Sequence, residues 1–249
     1  IVFQAREGTP ELNCCSVNGP RALGMIGDWA VMRASDGAVV VNYYGPSEIT
    51  VPLGSDLSVE LTQETDYPRR GRIDLTVSPS RATEFPLKLR VPYWSSRTAV
   101  SLNGEPLDGV RSGRYLVVDR LWRRGDRLRI DLDMSLHYWA GDEECAGRVS
   151  IYRGPVLLTY DRRFNELDPD DVPALDAPTL RGQLVATGGY GPKPILLVRF
   201  AAEGDRSVNL CDFASAGEAG SPYLSWLDVR GVTPTAFSHE NPLRSGRPL

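Results

Sequence analysis

The chain has 249 residues, of which 41% are hydrophobic, with a net charge of −4 and an isoelectric point near 5.3. This composition is enough for a substantial folded core, and the acidic balance lacks the basic stripe that nucleic-acid partners require. No apolar run approaches the roughly 20 residues that cross a bilayer, so we expect no membrane span. Because the chain begins with Ile1 rather than methionine, we expect it to be a piece of a longer protein.

Two neighbouring cysteines, Cys14 and Cys15, precede the first predicted helix. Adjacent cysteines make a strained disulfide, so the pattern indicates metal ligation or nucleophilic catalysis, and the structural alternative is two buried thiols. Pro20 suits the first helical position, so the pattern predicts that the helix begins there, with Asn18 or Gly19 as its cap. Unpaired amide groups at that point would favour the thiolate form of both cysteines.

The predicted helix runs over residues 20–33 and is closed by Gly37. Its apolar residues recur at the spacing of one helical face and are Ala22, Met25, Ile26 and Trp29. Little else in the chain is helical enough to pack against this face. The helix is therefore expected to lack a partner within the chain.

Short segments of β type follow the helix at regular intervals. Residues 127–133 alternate polar and apolar, which is typical of a strand with one buried face, and Asn103-Gly104 predicts a type I′ hairpin between two of the segments. We therefore expect a mainly β fold with antiparallel sandwich domains. The predicted strands are 38–44, 57–63, 72–78, 86–91, 98–102, 115–119 and 127–133, then 148–152, 156–160, 195–200, 207–213 and 223–229.

The domain boundaries follow from breaks in this pattern. We expect the end of a helical domain at residues 1–37, a first β-sandwich at 38–140 and a second at 141–249, because the acidic run 141–144 interrupts the strands. Residues 165–178, which are acidic and rich in proline, are the predicted long loop.

Several ordered motifs resemble glycoside hydrolase family 127, the β-L-arabinofuranosidases. The most specific is the Cys-Cys-x-x-Asn segment at residues 14–21, CCSVNGPR, followed by a helix and by DGAVVVNYY at 36–44. Further matches are LRVPYW at 89–94, VSLNG at 100–104, WRRGD at 122–126, RVSIYRGP at 148–155 and YLSWL at 223–227.

The resemblance implies a fold and a set of roles. In that family an (α/α)₆ barrel carries the active site and two β-sandwiches follow it, so this chain would hold the last barrel helix and both sandwiches. Cys14 would be the catalytic nucleophile and also touch a Zn²⁺ ion, and Cys15 would be a zinc ligand. The other ligands, a glutamate and a cysteine, and the acid/base glutamate would lie upstream. Asn18 and Arg21 would orient the substrate or, for Asn18, cap the helix.

The implied substrate is an arabinofuranose-containing glycan or glycopeptide, and the chain alone is predicted to be inactive. The alternative is a carbohydrate-binding or scaffolding sandwich module, for which exposed aromatic residues in Tyr43-Tyr44, Tyr93-Trp94 or Tyr138-Trp139 would stack on sugars. At most one residue of each pair can join a given platform, because neighbours on a strand face opposite ways.

The remaining reactive residues are expected to have structural roles. Cys145 and Cys211 are predicted to pack as small apolar side chains. His137 and His239 are predicted to be structural residues or surface residues. The acidic runs 142–144 and 168–171 are predicted to be solvated turns rather than paired catalytic carboxylates. Four scattered cysteines slightly favour a reducing compartment without excluding export.

Overall fold

The computed structural model describes residues 14–176, 182–187, 194–204 and 206–235. Within these ranges the chain has one α-helix, several short 3₁₀ turns and 19 strands in three sheets, and no helix is long and apolar enough to cross a membrane. The predicted mainly β class is therefore confirmed. The chain divides into two compact units, the first over residues 1–67, 72–93 and 98–131 and the second over 68–71, 94–97 and 132–249.

Helix α1 spans Cys14–Ala30, so its predicted start at Pro20 is wrong. Pro20 lies inside the helix, and Asn18 is a helical residue rather than the N-cap. Proline removes one backbone hydrogen bond, but its fixed φ of about −65° is helical, so it does not by itself mark a first turn. Gly37 does not close the helix either. It has a φ of +85° in the turn after a short strand that directly follows Ala30.

The first unit contains two sheets. One sheet has the order β1-β2-β6-β9, in which β2 and β6 are parallel, and the other has the order β3-β4-β5-β10-β7-β8 and is antiparallel. The strands are β1 (Val31–Arg33), β2 (Val39–Val41), β3 (Ser47–Pro52), β4 (Ser58–Thr65), β5 (Arg72–Pro79), β6 (Thr83–Val91), β7 (Ala99–Leu102), β8 (Glu105–Pro106), β9 (Arg114–Trp122) and β10 (Asp126–Asp131).

Alternation along these strands builds the core of the first unit. In β10 the side chains of Leu128 and Ile130 are buried while Arg127 and Arg129 are exposed, as the sequence predicts. The buried Trp122 donates its indole N–H to the carbonyl of Phe85 at 2.9 Å, which satisfies the one polar atom of that side chain. Other large side chains that are fully buried here are Leu61, Ile73, Leu75, Leu87 and Leu89.

The predicted Asn103-Gly104 turn is present, but its second strand is not the predicted one. Both residues have positive φ, 52° and 93°, as a type I′ turn requires. The turn joins β7 to the two-residue strand β8, whereas β9 pairs with β6 in the other sheet. A turn motif fixes only the local reversal, and the long-range partner depends on packing.

The second unit is built on a nine-stranded sheet with the main order β11-β12-β13-β17-β16-β14-β19. The predicted first sandwich reached residue 140, yet β11 pairs with β12 of this sheet. The predicted long loop holds a 3₁₀ turn at Pro169–Asp171 and the start of β14, and its last two residues lie outside the described ranges. The strands are β11 (Leu136–Ala140), β12 (Val149–Arg153), β13 (Val156–Asp161), β14 (Leu175–Asp176), β15 (Gln183–Leu184), β16 (Leu197–Ala202), β17 (Arg206–Asp212), β18 (Tyr223–Leu224) and β19 (Val229–Arg230).

The core of the second unit lies on one face of this sheet. It is an apolar cluster to which β12, β13, β16 and β17 all contribute. Its largest buried members are Ile151, Leu158, Tyr160, Phe200 and Leu210.

Candidate active site

Helix α1 carries all four residues that the sequence assigns to catalysis. Each residue of an α-helix is rotated by about 100° from the one before it, so positions 14, 18 and 21 fall on one face and position 15 borders it. The structure describes the backbone of Cys14 and Cys15 as helical, so both belong to α1 and not to a loop ahead of it. Asn18 and Arg21 are exposed. The predicted motif is thus arranged along one helical stripe.

The apolar residues of the helix share this side. Met25 and Trp29 of the predicted apolar face continue the stripe toward the C-terminal end of α1, and Ala22 and Ile26 border it on the side of Cys15. Ile26 is 47% exposed and Trp29 is 38% exposed. Among the described residues, this side of α1 therefore presents partly exposed apolar side chains.

The C-terminal end of α1 is fastened to the first unit by Asn42. Its side-chain amide donates to the carbonyl of Trp29 at 2.9 Å, and its backbone N–H donates to the carbonyl of Ala30 at 2.9 Å. The hydroxyl of Tyr115 donates to the Asn42 Oδ1 atom at 2.6 Å and fixes the orientation of the amide. Sequence reasoning missed both residues as determinants of the helix direction. Asn42 lies within a matched motif, but no local pattern marks it as a helix cap.

The turn after β1 is also held in place. Asp36 accepts a hydrogen bond from the amide of Ala38 at 3.1 Å and pairs with Lys88 at 2.6 Å. The hydrogen bond from Lys88 lowers the pKa of Asp36 below its ordinary value, with the Ala38 amide adding to the effect. This carboxylate therefore stabilises the connection between the helix and its sheet.

A zinc site fits the donor chemistry of this chain only in part. Two neighbouring thiolates are soft ligands that suit Zn²⁺, which takes four ligands in a tetrahedral arrangement. The side chains of Cys14 and Cys15 lie outside those that the structure describes, and no three His, Cys, Asp or Glu side chains among the described ones are grouped as a metal site.

Among the described residues, Cys145, Cys211 and His137 show no catalytic grouping. Cys211 is fully buried, and burial raises the pKa of its thiol to about 12, so it remains protonated. Cys145 is half-buried in a 3₁₀ turn and is a free thiol. His137 stacks on Tyr152 with ring centroids 5.3 Å apart, and burial lowers its pKa. His239 lies outside the described residues.

The two acidic runs are turns. Asp142 accepts a hydrogen bond from the amide of Glu143 at 2.9 Å and caps a 3₁₀ turn. Asp168 forms an exposed ion pair with Arg162 at 3.1 Å. Both arrangements use the carboxylates locally rather than directing them into a site.

Of the three aromatic pairs, two expose one ring each. Tyr43 and Tyr93 are exposed, whereas Tyr44 donates its hydroxyl to the carbonyl of Arg90 at 2.7 Å and Trp94 is half-buried. Both residues of the third pair, Tyr138-Trp139, are half-buried. Each of the first two pairs exposes one ring, and the three pairs do not form a platform of several exposed rings.

Comparison with protein families identifies the first sandwich. Residues 38–134 match the family model for the middle domain of GH127 β-L-arabinofuranosidases. No curated protein sequence matches the chain.

Solved structures extend the similarity to most of the chain. Ara127N, a GH127 β-L-arabinofuranosidase from Geobacillus stearothermophilus T6, is 25% identical with a TM-score of 0.69 over 87% of this chain and 37% of its own. A protein described as a glycoside hydrolase is 23% identical with a TM-score of 0.72, covering 92% of this chain and 42% of its own. The GH127 β-arabinofuranosidase BT3674 is 21% identical with a TM-score of 0.71, covering 90% and 39%.

The chain therefore spans about two fifths of the length of these structures. The resemblance to glycoside hydrolase family 127 is confirmed over a partial chain, with the family's middle domain at residues 38–134.

Proposed function

We propose that this chain, which carries the family-127 middle domain, is the C-terminal part of a retaining glycoside hydrolase that acts on arabinofuranose-containing glycans or glycopeptides. The observation that carries the proposal is the single stripe of α1 on which the Cys14, Asn18 and Arg21 positions continue into half-buried Met25 and exposed Trp29. A buried catalytic thiolate needs a protein wall around it, and the apolar half of the stripe supplies the surface on which that wall would pack. In this proposal α1 is the last helix of a catalytic barrel.

Cys14 is the proposed nucleophile. Its thiolate sulfur attacks the anomeric carbon of the arabinofuranoside as the bond from that carbon to the leaving oxygen breaks, and a carboxylic acid outside this chain protonates the oxygen. Water then gives a proton to the same group, now a carboxylate, and attacks the same carbon as the carbon–sulfur bond breaks, returning the thiolate. Two displacements retain the configuration of the sugar.

Cys14 must be ionised before it can attack. Cys14 and Cys15 would together hold a Zn²⁺ ion, whose charge would stabilise the thiolate at neutral pH and as a leaving group. Because two ligands bind the ion weakly, we propose that the remaining ligands come from the barrel.

Asn18 and Arg21 lie one and two turns beyond Cys14 on the same stripe. An amide donates and accepts, and a guanidinium presents five donors in a fixed fork, so the two side chains suit the hydroxyl groups of a sugar. Their proposed role is to orient the ring for attack by the sulfur.

The test compares this 249-residue chain with the longer polypeptide that includes a barrel. We expect the longer protein to hydrolyse a nitrophenyl β-L-arabinofuranoside and this chain not to do so, since nothing in it is proposed to protonate the leaving oxygen. Cys14→Ser should abolish hydrolysis in the longer protein, while the matched variant Cys145→Ser should retain it. Turnover by this chain alone would refute the proposal.

A further inference from the structure

The outer face of the six-stranded sheet in the first unit forms an open polar cavity. The cavity has a volume of about 520 Å³, and all its lining residues belong to the first unit. The side chains that reach it from β4, β5, β7 and β10 are Glu64, Asp74, Thr76, Ser101, Arg127 and Arg129.

Strand register sets these groups in two rows. Glu64 is opposite Asp74, Asp74 is opposite Arg129, and Arg129 is opposite Ser101, so one row crosses four strands. In the next row Arg127 is opposite Thr76. Since neighbouring strands lie about 4.8 Å apart, hydrogen-bonding groups recur at short, regular intervals across the face.

Several of these groups have unused hydrogen-bonding capacity. Asp74 accepts from Arg129 at 2.8 Å, but Glu64, Thr76, Ser101 and the guanidinium of Arg127 make no side-chain hydrogen bond or ion pair with any described residue. A carboxylate accepts from two adjacent hydroxyls, and a guanidinium donates to two oxygens at once. The unused groups therefore match a ligand that is rich in vicinal hydroxyls.

The charges that line the cavity favour a neutral polar ligand over an anionic one. Two carboxylates face two guanidinium groups, so the site is balanced and does not attract a polyanion as a basic stripe would. No aromatic side chain lines the cavity. A neutral polyhydroxylated chain satisfies both the hydrogen-bonding groups and the charge balance.

We propose that this face is a secondary binding surface for a neutral glycan chain, separate from α1. The assignment of the glycan as arabinose-containing rests on the proposed function, whereas the surface itself rests on the cavity. Binding here would hold a polymer near the enzyme without taking part in bond cleavage.

Affinity electrophoresis of this chain in gels containing neutral arabinan tests the proposal. We expect arabinan to retard the chain. Arg127→Ala and Glu64→Gln should each raise the dissociation constant about fivefold or more. The matched variants Arg81→Ala and Glu84→Gln change exposed charges outside the cavity and should leave retardation unchanged. Because the ligand is neutral, retardation should also persist between about 50 and 500 mM salt.

The proposal would be overturned by no retardation with arabinan, by retardation that all four variants leave unchanged, or by an anionic polygalacturonate that binds instead and is released by salt. Self-association that Arg127→Ala abolishes would assign the face to a protein interface and also overturn it. In the longer protein, Arg127→Ala should slow hydrolysis of the polymer and spare a nitrophenyl arabinofuranoside. If the longer protein with Cys14 intact hydrolyses no arabinofuranoside while arabinan binding is unchanged, the proposed function is contradicted and the binding surface is not.

Discussion

Asn42 donates its side-chain amide to the carbonyl of Trp29, and Tyr115 donates its hydroxyl to the same amide's oxygen. This short chain of hydrogen bonds joins the end of the helix that carries the cysteines to β9, which is far away in sequence. Because the last four carbonyls of a helix have no partner within it, Asn42 satisfies a group that would otherwise depend on water. The direction of α1 is therefore set by the first unit.

Asn42→Ala tests this anchoring. We expect the free energy of unfolding in urea to fall by about 1–2 kcal/mol, because the cap and the partner of Tyr115 are both lost. Tyr115→Phe should cost about 0.5–1.5 kcal/mol, and the double variant less than the sum of the two, since they share one network. Tyr43→Phe removes an exposed hydroxyl as a matched control and should change little. Additive effects in the double variant would contradict the linkage.

Asp161 is the predicted source of acid sensitivity in the second unit. It is fully buried, and it accepts hydrogen bonds from Ser221 at 2.7 Å, from the Gly217 amide at 2.8 Å and from Arg163 at 2.9–3.1 Å. Burial alone raises the pKa of Asp161, but the hydrogen bonds from Arg163, Ser221 and Gly217 together hold it below its ordinary value. The folded state thus favours the carboxylate more than the unfolded chain does.

A lowered carboxyl pKa stabilises the fold above the unfolded value of about 4, and this stability is lost as pH falls toward the folded value. Asp161→Asn should lower the free energy of unfolding by about 2–3 kcal/mol at pH 7, since Arg163 keeps Glu218 and is partly exposed. It should also flatten the pH dependence below about pH 4. Asp168→Asn, at an exposed pair, should cost at most about 0.5 kcal/mol. Equal losses would contradict the network.

Ile26→Glu separates the role of the helix face from that of the fold. In this chain Ile26 is 47% exposed, so the free energy of unfolding should change by no more than about 0.5 kcal/mol. In the longer protein the same change should cost about 2–4 kcal/mol, because it would place a charge against a packed barrel. Leu23→Glu, at a residue that is 71% exposed and lies outside the apolar face of Ala22, Met25, Ile26 and Trp29, should be mild in both. Indifference of the longer protein to Ile26→Glu would contradict the packing of this face.

Gly104→Ala tests the predicted hairpin. Gly104 has a φ of +93°, so an alanine would be strained, and we expect a loss of about 1–2 kcal/mol in the free energy of unfolding. Gly54→Ala lies in open space at a residue without positive φ and should be neutral or stabilise by up to about 1 kcal/mol. A neutral Gly104→Ala would show that the turn does not depend on glycine.

Local patterns predicted the strands but not their partners. The alternation around Leu128 and Ile130 fixes which side is buried, and Asn103-Gly104 fixes a reversal, since both depend on neighbouring residues alone. The pairing of β9 with β6 depends on contacts distant in sequence, and so does the capping of Trp29 by Asn42. Pro20 does not mark the start of the helix, because its fixed φ suits the interior of a helix as well as its first turn.

In the candidate site, the residues were predictable from the sequence, whereas neighbours on adjacent strands were not. The residues of the CCSVNGPR motif are fixed by the sequence, and their arrangement on one stripe follows from helical geometry once the helix is known to include Cys14. The polar rows around Arg127 were not predicted, because cross-strand neighbours appear only when the register is known.

The most direct test of the central claim is to map covalent adducts by mass spectrometry on the longer protein after treatment with a cyclophellitol-type arabinofuranose inhibitor. The proposal predicts a single adduct on Cys14 that is lost in Cys14→Ser and retained in Cys145→Ser. An adduct on another residue, or full activity in Cys14→Ser, would contradict it.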